Sequence, residues 1–511
     1  MADSLFVSLA LPPGLYRNGT DYQARGRWRD AQLVRWFNGE MRPMGGWRAH
    51  SVAGGAGAAG AGIGGVARTL LAWRDNNNST WAALGTADRL HVMSRSGALS
   101  DVTPAGLLAG RVSAVSGGGY GSGAYGAGSY GGPRGDVSTV SDATVWSLDT
   151  WGPYLVAVSP DDQVLYQWNL NPAAPAAPIA GAPSAKALVV SNEHFLFALG
   201  VGGDERTVAW PDQSDNTLWT ADATNSAGAY TLPSTGRILC GRRLPQGTGI
   251  WTDSELWIAQ YVGGVLLYGF QKADSGCGAL SRNAVVTAAS QAFWMGQNGF
   301  FAYNGFVRPL PCSVQDQVYA RLDARQASKI SAMRLSAFRE IWWFYPSIAA
   351  DGVSPGECDS YVAYNYQEDT WTMGSLARSC GADQDVFAHP LMGGTDGVVY
   401  DHELGFDYGG VTPFAESGPY ELPGPMAGGA QVFTATQLIA DEKSRGDTTV
   451  SFYSALYPNT DEIVSGPYSL GARPTDVRFT GRQVRLKVTG AQADDWRWGA
   501  PRLMVQPAGR R

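Results

Sequence analysis

The chain has 511 residues, a formal net charge of −7 and only 16% charged residues, so it is long enough for two or three domains with sizeable cores. Five histidines exclude a histidine-rich metal site. The five cysteines are too widely spaced for a metal knuckle, and no run of eighteen apolar residues offers a membrane-spanning helix. The charge is uneven: residues 1–50 carry a net +3, residues 471–511 a net +6, and the stretch between them −16. Basic ends around an acidic middle suit either an acidic partner or a nucleic-acid backbone, or else docking within the chain itself.

The opening MADSLFVSLALPPG has an acid near its front and only a short apolar run, which is not the pattern of a secretory signal. Residues 1–50 read as a basic arm in which arginines and aromatics are closely spaced. Within it LVRWFN, NGE and MRPMGGW predict a hairpin. Arg27, Arg29 and Arg35 lie among Trp28, Trp36 and Trp47, a pattern that permits cation–π stacking. The Gly/Ala run at 53–65 reads as a linker. A second low-complexity stretch, GGGYGSGAYGAGSYGG at 117–132, spaces Tyr120, Tyr125 and Tyr130 evenly and is expected to be disordered until assembly. Deleting 1–50 is expected to leave the following domain folded while abolishing assembly.

From 66 to 410 tryptophan recurs in strand-length apolar phrases closed by Gly, Pro, Asn or Asp: TLLAWRD, DATVWSLDTWG, VLYQWN, IWTDSELWIAQY, QAFWMGQNGFFAYNG and EIWWFYP. Many short strands joined by turns predict an all-β body. Units recurring every few tens of residues predict a radial arrangement that hides sheet edges, a β-propeller. The span divides into six blades of about 58 residues or seven of about 49, and six with long loops is the preferred reading. One helix is predicted at 314–333 from apolar residues at Val314, Val318, Leu322, Ile330 and Met333. Residues 411–511 predict a small β-sandwich. In RQVRLKV, Val484, Leu486 and Val488 face one way while Arg485 and Lys487 face the other.

Chemistry-bearing motifs are scarce. There is no Walker loop, dinucleotide fingerprint, G-x-S-x-G elbow or H-E-x-x-H, so neither a cofactor nor a metal is expected. His402 and Glu403 read as a structural pair. Glycoside hydrolysis would require two carboxylates converging from distant blades. Asp253, Glu255, Glu340 and Asp369 are candidates, Glu255 and Glu340 because they stand beside aromatics, although acids at strand ends usually cap turns. Buried free thiols are expected for the cysteines, as in a reducing compartment, with Cys277–Cys312 or Cys358–Cys380 as the conceivable bridges.

Taken in order, RGRWRDAQLVRWFNGEMRPMGGW, the YG repeat, RILCGRRLPQGTGIWTDSELWIAQY, CGALSRNAVV, AFWMGQNGFFAYNGFVRPLPCSVQDQVY, YVAYNYQEDTW, DHELGFD and TGRQVRLKVTG…DDWRWGAPRLMVQPAGRR resemble the tail nozzle, or tail tubular, proteins of short-tailed bacteriophages, also described as DNA-stabilisation proteins. The resemblance implies a propeller over 66–410, with a platform made of the arm and linker (1–65) and a sandwich (411–511). It implies a non-enzymatic virion protein of the tail, assembled in the host cytoplasm. Six copies would ring the tail axis below the portal and adaptor, continue the channel for packaged double-stranded DNA, and dock fibres or spikes. Arg25, Arg27, Arg29, Arg35, Arg482, Arg485 and Lys487 are then the candidates for the channel wall or subunit contacts. At least half of them are expected to meet carboxylates of a neighbouring subunit or of the adaptor. The alternatives are a glycan-binding propeller on the virion and a hydrolase of surface polysaccharide.

Overall fold

The computed structural model describes residues 5–50, 62–116, 140–264, 266–421, 431–443, 448–458, 460–471, 473–490 and 494–508. The expectation for Tyr120, Tyr125 and Tyr130, and most of the Gly/Ala linker, lie outside these residues. Seven four-stranded antiparallel sheets follow one another in the described residues. Their first strands are Thr69–Arg74, Ser147–Trp151, Ala187–Val190, Ile238–Leu244, Val285–Ala288, Ser331–Leu335 and Arg378–Ala382. Each first strand packs beside the next, and the seventh returns to the first. The body is therefore a β-propeller whose innermost strands surround an axis, and these sheets are numbered here as blades 1 to 7 in chain order.

Seven blades, not six, make up the ring. The seventh is hard to count in sequence because the chain from 378 to 402 supplies only three of its strands. The fourth, Trp47–Ala49, comes from the N-terminal arm and pairs with Val399–His402. The last blade is thus closed by a strand more than three hundred residues away. At the same seam the Ser379 hydroxyl donates to the Ala67 carbonyl at 2.5 Å, and Ile63, Ala67 and Leu84 pack against Cys380, Leu391 and Val399.

Seven apolar clusters match the seven blade interfaces. Tryptophan supplies much of their bulk, and its indole N–H ties neighbouring blades together. Trp73 of blade 1 donates to the Pro153 carbonyl in blade 2 at 2.9 Å. Trp146 reaches back to Thr86 at 2.9 Å, Trp294 of blade 5 to Cys277 at 2.6 Å, and Trp343 of blade 6 to Ala284 at 3.0 Å. A ring this wide can bury its area between two twisted sheets and still satisfy its one polar atom, which explains why the strand phrases are rich in Trp.

Most of the remaining described strands form two further sheets. One has the order Leu5–Ser8, Arg502–Pro507, Phe433–Ile439, Thr475–Gly481. The other runs Trp28–Gln32, Phe414–Ser417, Gln483–Gly490, Thr448–Ala455, Ile463–Ser469, with Tyr420–Glu421 also against Gln483–Gly490. Their inner faces share one core with the interface between blades 5 and 6, so Phe452, Val488 and Val505 belong to the same cluster as Phe300 and Trp343. The predicted alternation in Gln483–Gly490 is present: Val484, Leu486 and Val488 are buried, while Arg485 and Lys487 are part-exposed.

The hairpin also forms, from Val34–Phe37 and Glu40–Pro43. Its two-residue turn places Asn38 (φ 53°) and Gly39 (φ 75°) in the left-handed region, the geometry that matches strand twist. Both turn amides donate to the Glu368 carboxylate in blade 6, at 2.5 and 3.2 Å.

The helix at 314–333 is shorter than predicted. It spans Gln315–Arg321, a 3-10 turn covers Ala324–Lys329, and Ser331–Leu335 is the first strand of blade 6. The break has a local cause. Leu322 is extended, and the backbones of Arg321 and Asp323 bond Ile348 and Pro346 after the second strand of that blade. Tertiary pairing overrides an apolar spacing that fits either period.

All five cysteines are buried free thiols. Burial raises every one of them, Cys277 to about 11 and Cys380 to about 12, so none is a ready thiolate.

Deletion of 1–50 is therefore not neutral for the propeller. It removes the closing strand of blade 7 together with Leu33 and Met44 from the core between blades 6 and 7. We expect the truncated chain to lose its cooperative near-UV melting transition; a transition within a few degrees of the full chain would contradict ring closure by the arm. Trp343→Ala should destabilise by about 3–5 kcal/mol, whereas Leu108→Ala, at an exposed site, should stay within about 0.5 kcal/mol. Denaturant titration followed by fluorescence checks both.

Candidate functional site

Among the described residues, cavities lie along the propeller axis, and two of them gather charged groups from several blades. One, of about 350 Å³, is walled by all seven first strands. Most of its charged groups are paired across blades: Arg243 of blade 4 with Asp149 of blade 2, and Arg334 of blade 6 with Asp383 and Asp385 of blade 7, while Arg242 in the same wall bonds only neutral oxygens. Asp149 and Asp383 are further held by backbone amides, Asp149 by Val190 at 2.8 Å and Asp383 by Ser336 at 3.1 Å. The other cavity, of about 480 Å³, includes Arg111, Asp142, Lys186, Glu205, Arg237 and Arg282 in its wall.

Asn283 crosses the axis between the two. Its side-chain amide donates to the Arg68 carbonyl at 3.1 Å and the Thr69 hydroxyl at 2.8 Å, joining the approach to blade 5 to blade 1. Cavities of this size suit a small ligand; the bore of one propeller does not admit a duplex.

A recurring position explains the second cavity. A basic residue precedes the innermost strand in five blades: Arg68 in blade 1, Lys186 in blade 3, Arg237 in blade 4, Arg282 in blade 5 and Lys329 in blade 6. All innermost strands run the same way around the axis, so the repeat gathers these cations at one end. Arg68 and Lys329 are buried and share Glu357, at 2.6 and 2.8 Å. Arg237 pairs with Asp142 at 2.8 Å, Lys186 with Glu205, and Arg111 with Asp161.

Arg282 has no carboxylate within ion-pair reach among the described residues and donates to one carbonyl, that of Lys186. Burial pulls its guanidinium down to about 10, and Arg237 and Arg242 push the same way against Asp142. Arg242 beside it bonds only neutral oxygens: the carbonyls of Val285, Gly241 and Arg282 at 2.9–3.1 Å, and the Asn283 amide at 3.4 Å.

The seven basic residues singled out from sequence do not come together at the axis. Arg35 is buried in the hairpin, with Nε 3.1 Å from Glu340 and two bonds to Glu403 at 2.6 and 2.8 Å, under the Phe338 ring at 3.7 Å. Burial opposes its charge, but Glu340 and Glu403 outweigh that and hold the guanidinium above its ordinary range. Burial also raises Glu340, with Arg35 opposing. Arg29 bonds Asp21 at 2.7 Å, Arg25 reaches Glu421 at 3.5 Å, and Arg27 is exposed over the Tyr16 ring. Arg485 pairs with Glu416 and Glu462, Lys487 lies over the Phe414 ring at 4.2 Å, and Arg482 over Tyr457 at 5.0 Å.

The four candidate acids are not convergent either. Glu255 accepts from the Trp257 indole at 2.9 Å, and Glu340 from Trp342 at 2.8 Å, because residues two apart in a strand share a face. Asp369 accepts from Tyr364 at 2.9 Å, and burial raises Asp253 beside Arg237. His402 is buried against Trp47 and accepts from Arg378 Nε at 2.9 Å. Burial, with Arg378 beside it, holds this histidine well below its usual pKa. Among the described residues no group of three or more His, Cys, Asp or Glu is placed to hold a metal, and no helix is long and apolar enough to cross a membrane.

No family model and no curated protein matches this chain. Among solved structures it is similar to virginiamycin B lyase from Staphylococcus aureus, at 6% identity over 65% of this chain and 93% of that one, with a TM-score of 0.35. It is also similar to a streptogramin B lyase (8% identity, 50% and 92% covered, TM-score 0.29) and to exo-β-1,3-galactanase from Phanerochaete chrysosporium (9%, 91% and 100%, 0.28). The expectation of a non-enzyme is corrected by these neighbours, which are themselves enzymes. At such TM-scores the likeness assigns no reaction to this chain.

Arg35→Met should destabilise the protein by about 3–5 kcal/mol, because it strands two carboxylates in a buried site. Chemical denaturation checks this; an unchanged midpoint would contradict a stabilising role for the buried Arg35–Glu340–Glu403 cluster.

Proposed function

We propose that the protein is a tail component of a short-tailed phage, of the nozzle type, in which copies join into a ring through their sandwiches. One observation carries the reading: the sandwich ends in exposed apolar edges. At one edge Leu5 and Phe6 are exposed on strand Leu5–Ser8. At another, Ile463 and Val464, on strand Ile463–Ser469, stand beside Leu456 and Tyr457 of the preceding hairpin tip. Uncovered apolar edges recruit other chains, and two different edges on one body favour head-to-tail contact, which closes into a ring when the rotation permits. The order of sequence phrases resembling the tail nozzle family supports the same reading. In it the sandwich ring continues the DNA channel below portal and adaptor, and the propellers face fibres or spikes. The six copies are taken from the resemblance.

A second reading is a propeller that binds or cleaves surface saccharide. It is favoured by the 350 Å³ axial cavity, where Asp149 stands on the first strand of blade 2 and Asp383 directly follows that of blade 7.

Ile463→Glu should leave the melting transition in place and abolish assemblies larger than one chain, as read by multi-angle light scattering at rising concentration with the virion's adaptor present. Full-size rings from the variant would overturn the assembly reading. Reducing-end release from host polysaccharide, lost in Asp149→Asn, would favour the second.

A further inference from the structure

The end of the axis at which the innermost strands begin carries positive charge that its own carboxylates do not match. In the 480 Å³ cavity, Arg111, Lys186 and Arg237 each have an acid, and Arg282 has none among the described residues. Arg242, a few ångströms behind it, is balanced only by neutral oxygens. The Arg242 guanidinium bonds the Arg282 carbonyl at 3.1 Å and lines the other cavity, so it adds positive charge near Arg282 and brings no carboxylate of its own among the described residues. A surface arginine would dilute its charge in solvent. Arg282 instead sits in a cavity wall, one amino group tied to the Lys186 carbonyl at the approach to blade 3, which leaves donors of a planar fork available to a ligand. The pairs around it are also adaptable: Arg237 has Asp142 at 2.8 Å and Asp253 at 3.8 Å, and could turn from either toward a stronger acceptor.

We propose that this cavity is a binding site for a small ligand bearing a phosphate or carboxylate group, gripped by the Arg282 guanidinium with Arg237 and Lys186 on its flanks. The shared chemistry is a compact oxyanion with two or more acceptor oxygens, which suits bidentate arginine donors. The cavity volume admits one sugar ring or a diphosphate and no polymer segment beyond that. The site lies at the opposite end of the axis from Asp149 and Asp383, and it depends on neither the ring assembly nor the saccharide reading.

Isothermal titration of the full chain with inorganic pyrophosphate and, separately, with galacturonate tests the proposal. Saturable one-to-one binding of at least one probe is expected, weakening at least tenfold in Arg282→Gln. Asp142→Asn, which frees Arg237, should tighten binding several-fold. Arg334→Gln, at the other cavity, should leave it unchanged. Preference for pyrophosphate identifies a phosphate-bearing ligand, and preference for galacturonate a carboxylated sugar. No saturable heat with either probe, or equal affinity in Arg282→Gln, would overturn the site. If Arg282→Gln does not fold, Asp142→Asn decides alone, and binding that fails to tighten there overturns it equally.

Discussion

Contact between neighbouring blades is the constraint from which the rest of the molecule follows. A four-stranded twisted sheet cannot bury both faces by itself, and here each face is covered by the next sheet around a ring. The tryptophans make that contact both bulky and specific. Trp294, for example, packs at 71° against Trp251 while its N–H reaches the carbonyl of Cys277 between the two blades. Such a ring holds only when its last interface forms, so the strand Trp47–Ala49 has structural weight out of proportion to its three residues.

Because the arm must reach blade 7, it is drawn over the same side of the molecule as the sandwich. Trp28–Gln32 pairs with Phe414–Ser417, the hairpin inserts Arg35 between Glu340 and Glu403, and Glu368 caps the hairpin turn. The result is one continuous core through sandwich, arm and two blades. Propeller and sandwich are thus fastened rigidly, while the apolar strands Leu5–Ser8 and Ile463–Ser469 lie on edges that this fastening leaves uncovered.

Much of this was legible in the sequence, for physical reasons. Strands announce themselves by Trp-rich phrases and turns, the Asn-Gly hairpin by its turn chemistry, and Gln483–Gly490 by period-two alternation. Blade number was not, because the closing strand is remote in the chain and no local pattern links Trp47 to Val399. The helix was overestimated because Ile330 and Met333 fit a helical spacing while belonging to a strand. The axial cations went unread although GRRLPQG and LSRNAVV stood in view. Their signal is a basic residue before the innermost strand in five of the seven blades, and it becomes visible only once the blades are in register. Conversely, the basic residues of the arm and C-terminus drew attention through local density, and most of them meet carboxylates or rings within the chain.

The most direct test of the account is electron microscopy of the full chain mixed with its virion's adaptor ring. Class averages should show closed rings with sandwiches at the inner wall and propeller discs at the periphery. Isolated propeller–sandwich particles at every concentration, or rings joined through the propeller faces, would contradict an assembly built on the sandwich edges.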